Sequence, residues 1–146
     1  MIWLVDTNIL LRLIELESPH HVEARIAVDK LLRDGETLYI LLQNVSELWN
    51  VCTRPIAKNG LGLTITQADT ELSKIEQVFD ILHDTEEVYR TWRELIVKHS
   101  VSGVKVHDAK IVAAMKAHNI DNLLTFNTDD FKRYTDIKAV LPKNIY

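Results

Sequence analysis

The chain opens with an apolar run, Ile2-Trp3-Leu4-Val5, that stops at Asp6 and gives way to Thr7 and Asn8. A run this short, with aromatic and β-branched members, predicts a buried strand. Downstream, Ile9, Leu10, Leu13, Ile14 and Leu16 fit one face of a helix. The opening unit is therefore a strand, a carboxylate and a helix. Ligands of open α/β sheets bind in the crevice beyond the carboxyl ends of the strands, which is where Asp6 is expected.

The same alternation continues along the chain. Ser18-Pro19 precedes a second helix, with Val22, Ile26, Ala27, Leu31 and Leu32 at helical spacing and Asp34-Gly35 as its stop. His20 and His21 fall on its first turn and read as solvated. Leu38–Leu42 reads as a second strand, and Gln43-Asn44 introduces a helix that buries Val45, Leu48, Trp49 and Cys52. Arg54-Pro55 ends that helix, because the residue before proline avoids helical geometry. Residues 56–65 hold two of the four glycines and read as an exposed loop, after which Thr66 is expected to cap a helix to about Phe79. Asp80–His83 is a short strand candidate. Thr85-Glu86-Glu87 opens a helix with an acidic first turn, favourable to its dipole, and with Trp92, Leu95 and Ile96 turned inward. A polar connection over residues 100–106 leads to a helix that starts near Asp108 and buries Ile111, Val112, Ala114 and Met115, with Asn119 as its stop. Asn122–Thr125 and Ile137–Leu141 supply the last strands, the final one at an edge. Strands alternating with helices of this length imply one α/β domain over residues 1–146, with a central, mainly parallel sheet flanked by helices on both faces.

Composition excludes several functional classes. No apolar run approaches the roughly 18 residues of a membrane span. The first apolar run has no basic segment before it and is interrupted by Asp6, so it does not read as a secretion signal, and a cytoplasmic protein is expected. The lone Cys52 rules out an intramolecular disulfide and lies on an apolar helical stripe. A formal net charge of -4 at pH 7 argues against indiscriminate nucleic-acid binding. It leaves room for a local basic face, for which Arg90, Arg93, Lys98, Lys105, Lys110 and Lys116 are candidates. Lys105, His107 and Lys110 flank Asp108.

Asp6, Glu47 and Asp108 occupy three separate strand ends or helix starts, and Asn127, Asp129 and Asp130 follow a fourth strand. A parallel sheet brings strand ends of one polarity to one edge, so these groups can converge. Two carboxylates about 5 Å apart repel by roughly 0.8 kcal/mol in water and roughly 3 kcal/mol at an effective dielectric of 20. A cluster of this kind raises its own pKa values or binds a hard divalent ion. Oxygen donors suit Mg²⁺ or Mn²⁺ rather than zinc, and such an ion activates water against a phosphodiester. Each acid also has a purely structural reading. Asp6, Thr7 or Asn8 can cap the first helix, Asn44 and Glu47 have capping-box spacing, Asp108 favours a helix start, and Asp129-Asp130 suits a turn.

Four segments taken in order carry a more specific signal: Val5-Asp6-Thr7-Asn8-Ile9-Leu10, Asn44-Val45-Ser46-Glu47-Leu48, His107-Asp108-Ala109-Lys110-Ile111-Val112-Ala113-Ala114, and residues 123–131. They resemble the D-T-N opening, the internal glutamate helix, the D-A-x-I-A-A helix and the closing L-x-T-x-[ND]-x-x-D-F segment of the PIN domain, in particular the VapC-type ribonuclease toxins of toxin–antitoxin pairs. The resemblance implies a metal-dependent endoribonuclease acting on RNA, a small cognate antitoxin and a homodimer. It also implies Asp6, Glu47 and Asp108 as the acidic core for Mg²⁺ or Mn²⁺, with Asn8 and Thr125 orienting water or carboxylates. Asn127 stands where many relatives have an acid, so Asp129 becomes the candidate fourth carboxylate and the choice between one ion and two stays open. Two other functions are compatible with these residues. One is a phosphatase with Asp6 as nucleophile, which would want a second acid where Asn8 stands. The other is a module without hydrolytic activity, either receiver-like or a PIN fold that binds RNA or protein.

Overall fold

The computed structural model describes residues 1–145. Its strands, β1 (Ile2–Val5), β2 (Thr37–Leu41), β3 (Asp80–Leu82), β4 (Asn122–Leu124) and β5 (Lys138–Val140), form one sheet in the order β3-β2-β1-β4-β5. Every pairing is parallel, and β5 is an edge strand as the sequence suggested. The helices are α1 (Thr7–Ile14), α2 (His21–Arg33), α3 (Leu42–Thr53), α4 (Ile65–Val78), α5 (Glu86–Lys98) and α6 (Val106–Ala117).

Side chains alternate across each strand, and both faces are covered. Trp3, Val5, Leu38, Ile40, Leu124 and Val140 pack with Leu10, Ala27, Leu48 and Ile75, which belong to α1 through α4. Leu4, Leu41 and Leu123 pack on the other face with Val88, Leu95, Val112 and Met115 of α5 and α6. Burial on both faces is the reason these strands read as unbroken apolar runs rather than as alternating ones.

β1 is the central strand. The chain moves outward from it to β2 and β3, then returns through α5 and α6 to β4 on its other side. Strand order therefore reverses between β1 and β4, the position at which open α/β sheets form a crevice. Asp6 follows β1 and Thr125 follows β4, and the Asp6 N–H donates to the Leu124 carbonyl at 3.0 Å.

Several sequence expectations need correction. Helix α1 ends at Ile14, so Leu16 lies in the following turn and is 74% exposed. Helix α2 buries Ala24, Ala27, Val28 and Leu31, while Val22, Ile26 and Leu32 face solvent. Apolar periodicity allowed two faces for this helix, and the one holding two alanines is the one that packs. Leu42 is the first residue of α3 rather than the last of β2. Asn44 is consequently inside the helix, where its Oδ1 accepts from the Leu41 N–H at 2.8 Å. The capping box of Asn44 with Glu47 does not form. Helix α4 is capped two residues earlier than expected, by Thr64, with Thr64 Oγ1 accepting from the Gln67 N–H at 3.1 Å and Gln67 Oε1 accepting from the Thr64 N–H at 2.9 Å. The histidines at the start of α2 are not simply solvated: His21 Nδ1 meets the Arg12 carbonyl at 2.8 Å, and the His20 ring lies 5.2 Å from that of Phe126. Among the described residues no helix is long and apolar enough to cross a membrane.

The position of the α4 cap is testable. Thr64→Ala is expected to lower unfolding free energy by about 1 kcal/mol in urea titrations, while Thr66→Ala changes it by less than about 0.5 kcal/mol.

Candidate active site

Asp6 is the last residue before α1 and caps it, with Oδ1 accepting from the Thr7 N–H at 2.8 Å. Its other oxygen accepts from Thr125 Oγ1 at 2.8 Å and from Asn8 Nδ2 at 3.3 Å. Asp6 is only 7% exposed and Thr125 is fully buried. Thr125 Oγ1 in turn accepts from Asn8 Nδ2 at 3.2 Å and from the Asn127 N–H at 3.0 Å, and Asn8 Oδ1 accepts from the Phe126 N–H at 3.1 Å. Asn8 thus joins the segment after β1 to the segment after β4.

A second set of bonds holds Glu47. Thr7 Oγ1 donates to Glu47 Oε2 at 2.7 Å and accepts from Asn44 Nδ2 at 2.9 Å. Gln43 Nε2 lies within hydrogen-bonding distance of Glu47 Oε1, at 3.0 Å, and of the His107 carbonyl, at 3.2 Å. The start of α3 is thereby tied to the start of α6, which carries Asp108. That turn is also anchored from α5, where Trp92 Nε1 donates to the Val106 carbonyl at 2.8 Å.

Asp6, Asn8, Glu47, Asp108 and Asn127 line one cavity of about 350 Å³. Asp129 stands apart from it. Its side chain is 83% exposed, pairs with Lys132 at 2.9 Å, and lines an adjoining depression that shares Asp108 with the first cavity. Thr7, Gln43 and Asn44 belong to the hydrogen-bond network of the candidate site, and the sequence does not place them there. Their signal was present in the polar residues at helix starts, but it was indistinguishable from ordinary capping.

Burial pushes the Asp6 carboxyl up to about 6, against hydrogen bonds from Thr125 and Thr7 that lower it, and the charges of Glu47 and Asp108 add to the rise. Asp108 is also raised, first by burial and then by Asp130, with Lys105 and His107 opposing. These couplings are those of carboxylates sharing a small volume. Among the described residues no three His, Cys, Asp or Glu side chains already close around one ion. The donor set is nevertheless all oxygen, and a hard divalent cation is commonly held by one or two carboxylates with water completing its shell. Four of the six candidate basic residues sit in partly exposed ion pairs: Lys105 pairs with Asp130 at 3.1 Å, Lys110 with Asp84 at 2.8 Å, Lys116 with Asp136 at 2.5 Å and Arg90 with Glu86 at 2.6 Å.

A family model described as PIN domain matches residues 3–137. No curated protein matches the sequence. Among solved structures, VapBC-1 from nontypeable Haemophilus influenzae is similar with a TM-score of 0.72 and 16% identity, over 99% of this chain and 100% of that one. VapC20 of Mycobacterium tuberculosis, described as a sarcin-ricin loop cleaving toxin, gives 0.67 and 19% over 90% and 95%. A toxin–antitoxin complex from Klebsiella pneumoniae gives 0.66 and 22% over 95% and 96%.

The raised Asp6 carboxyl has a consequence for stability. Between about pH 4 and pH 6 the folded, metal-free protein binds more protons than the unfolded chain, so stability falls as pH rises through that window. The loss is expected to reach about 3 kcal/mol above pH 6. Urea titrations in EDTA at a series of pH values should record this slope in the wild type and a flatter one in Asp6→Asn.

Proposed function

Because the chain belongs to the PIN-domain family, we propose that it is a metal-dependent endoribonuclease that hydrolyses RNA phosphodiester bonds, and the toxin of a type II toxin–antitoxin pair. The observation that carries this reading is the single cavity lined by Asp6, Glu47 and Asp108, three acids from distant parts of the sequence. The toxin descriptions of the similar structures support the choice of RNA and of a small cognate antitoxin as partners. A homodimer working in the cytoplasm completes the proposal.

In this reading Asp6, Glu47 and Asp108 hold Mg²⁺ or Mn²⁺, and Asp129 is the outlying candidate for a second ion. When bound, such a cation acidifies water and offsets negative charge growing on the phosphate. Thr125 and Asn8 fix the orientation of the Asp6 carboxylate. Thr7 and Gln43 do the same for Glu47, as partners behind metal ligands commonly do. Asn127, exposed on the cavity wall, can hydrogen-bond a phosphate oxygen without adding negative charge. In the metal-free protein protons compete with the cation for Asp6, so metal affinity falls as the pH drops below about 6. The phosphatase alternative is disfavoured by Asn8, which stands where a second acid is wanted and is already engaged with Asp6, Thr125 and Phe126.

The test is cleavage of an end-labelled RNA panel by the purified protein with Mg²⁺ or Mn²⁺. Asp6→Asn, Glu47→Gln and Asp108→Asn should each lower the rate by at least about a hundredfold, and Thr125→Val by about ten- to a hundredfold. A wild-type protein that cuts nothing in either metal, or an Asp6→Asn variant that cuts normally, overturns the proposal and leaves a binding module.

A further inference from the structure

A second cavity, of about 440 Å³, opens between the first turns of α5 and α6, lined by Asp84, Val88, Tyr89, Trp92, His107 and Lys110 among others. It lies beyond the carboxyl end of β3, on the same edge of the sheet as Asp6. It adjoins the acidic cavity through consecutive residues, since His107 lines one and Asp108 the other. We infer that this cleft seats an unstacked nucleobase of single-stranded RNA next to the phosphate held at the acidic cavity. The inference rests on the ribonuclease reading for its ligand class, and it is argued from the lining of the cleft.

The lining has what a base requires. Tyr89 and Trp92 form a tilted pair with ring centroids 6.3 Å apart. Trp92 is held in place by its bond to the Val106 carbonyl, so its indole is a fixed wall, and Tyr89 stays 54% exposed at the mouth. Flat aromatic walls of this kind accept any base face, and they do so mainly in single strands, where bases can be splayed out. The mouth carries complementary charges. Lys110 and Asp84 pair at 2.8 Å with 36% and 48% of their side chains exposed. A pair so exposed is worth at most about 1 kcal/mol, so each partner is available to a ligand. Lys110 can turn to the phosphate that leads into the acidic cavity, and the Asp84 carboxylate can accept from an exocyclic amino group. An RNA ligand uses the apolar walls, the cation and the acceptor together. An aliphatic peptide side chain would leave both charges unused.

The experiment is a fluorescence-anisotropy titration in EDTA, so that it does not depend on metal or on cleavage. The probes are a labelled ten-nucleotide single-stranded RNA and an abasic ribose-phosphate chain of the same length. Tyr89→Ala should weaken RNA binding at least about fivefold, Tyr89→Phe should restore it to within about twofold, and the abasic chain should respond to neither. Circular dichroism and melting confirm that the variants are folded, as expected for so exposed a side chain. Unchanged RNA affinity in Tyr89→Ala overturns the inference, as does an equal loss for RNA and the abasic chain. Dissociation of a dimer by Tyr89→Ala at constant RNA affinity also overturns it and assigns the cleft to a second copy of the chain. Failure here leaves metal-dependent cleavage by the wild type untouched. Conversely, a protein that cleaves nothing but loses RNA affinity in Tyr89→Ala keeps the cleft and loses the ribonuclease.

Discussion

Burying an ionisable carboxyl where two central strands end is unfavourable, and the surroundings of Asp6 offset the cost only in part. Thr125 and Thr7 supply hydrogen bonds to the charged form, yet burial still outweighs them. Two more acids face the same cavity and push in the same direction. A fold stabilised for its own sake would place an apolar residue or an asparagine at position 6, because a buried charge without a counter-charge is one of the costliest features a core can hold. In the proposed function a bound cation would remove the discrepancy, since the groups that repel one another would become its ligands. The architecture makes such a meeting possible: the reversal of strand order between β1 and β4 opens a crevice at the end of the central strand.

Two polar networks depend on that arrangement, and both start from the first turn of α1. One runs through Asn8 and Thr125 and fixes the loop after β4. The other runs through Thr7, Asn44, Glu47 and Gln43 to the backbone of α6. Consecutive residues 6, 7 and 8 therefore position groups from three distant segments. Each donor in these networks also satisfies a buried or half-buried polar atom, so altering one residue both unsettles an acid and leaves a neighbour unpaired.

Much of this was legible in the sequence because the strands are buried on both sides. Ile2–Val5 is a short unbroken apolar run and Leu123-Leu124 an apolar pair, and the residues just beyond them, Asp6 and Thr125, fall at one edge of a parallel sheet. For helix α2 the sequence identifies Ala27 and Leu31 correctly but favours Val22, Ile26 and Leu32 over Ala24 and Val28. The buried face combines two alanines with Val28 and Leu31, and a sequence carries no measure of how close two elements approach. Asn44 and Thr7 were read as capping residues for a related reason. A polar residue at a helix start has the same one-dimensional signature whether it bonds to its own backbone or, as Asn44 does, also to a side chain 37 positions away. Asp129 illustrates the reverse case, since its proximity to Asn127 in sequence does not bring it into the same cavity.

Sharing of one cation by Asp6, Glu47 and Asp108 is tested by anomalous scattering from crystals soaked in Mn²⁺. A peak is expected in the cavity between these residues, with carboxylate oxygens of at least two of them about 2.0–2.2 Å away and water completing the shell. A soaked crystal with no peak in that cavity, or with manganese only beside Asp129 and Asp130, would contradict it.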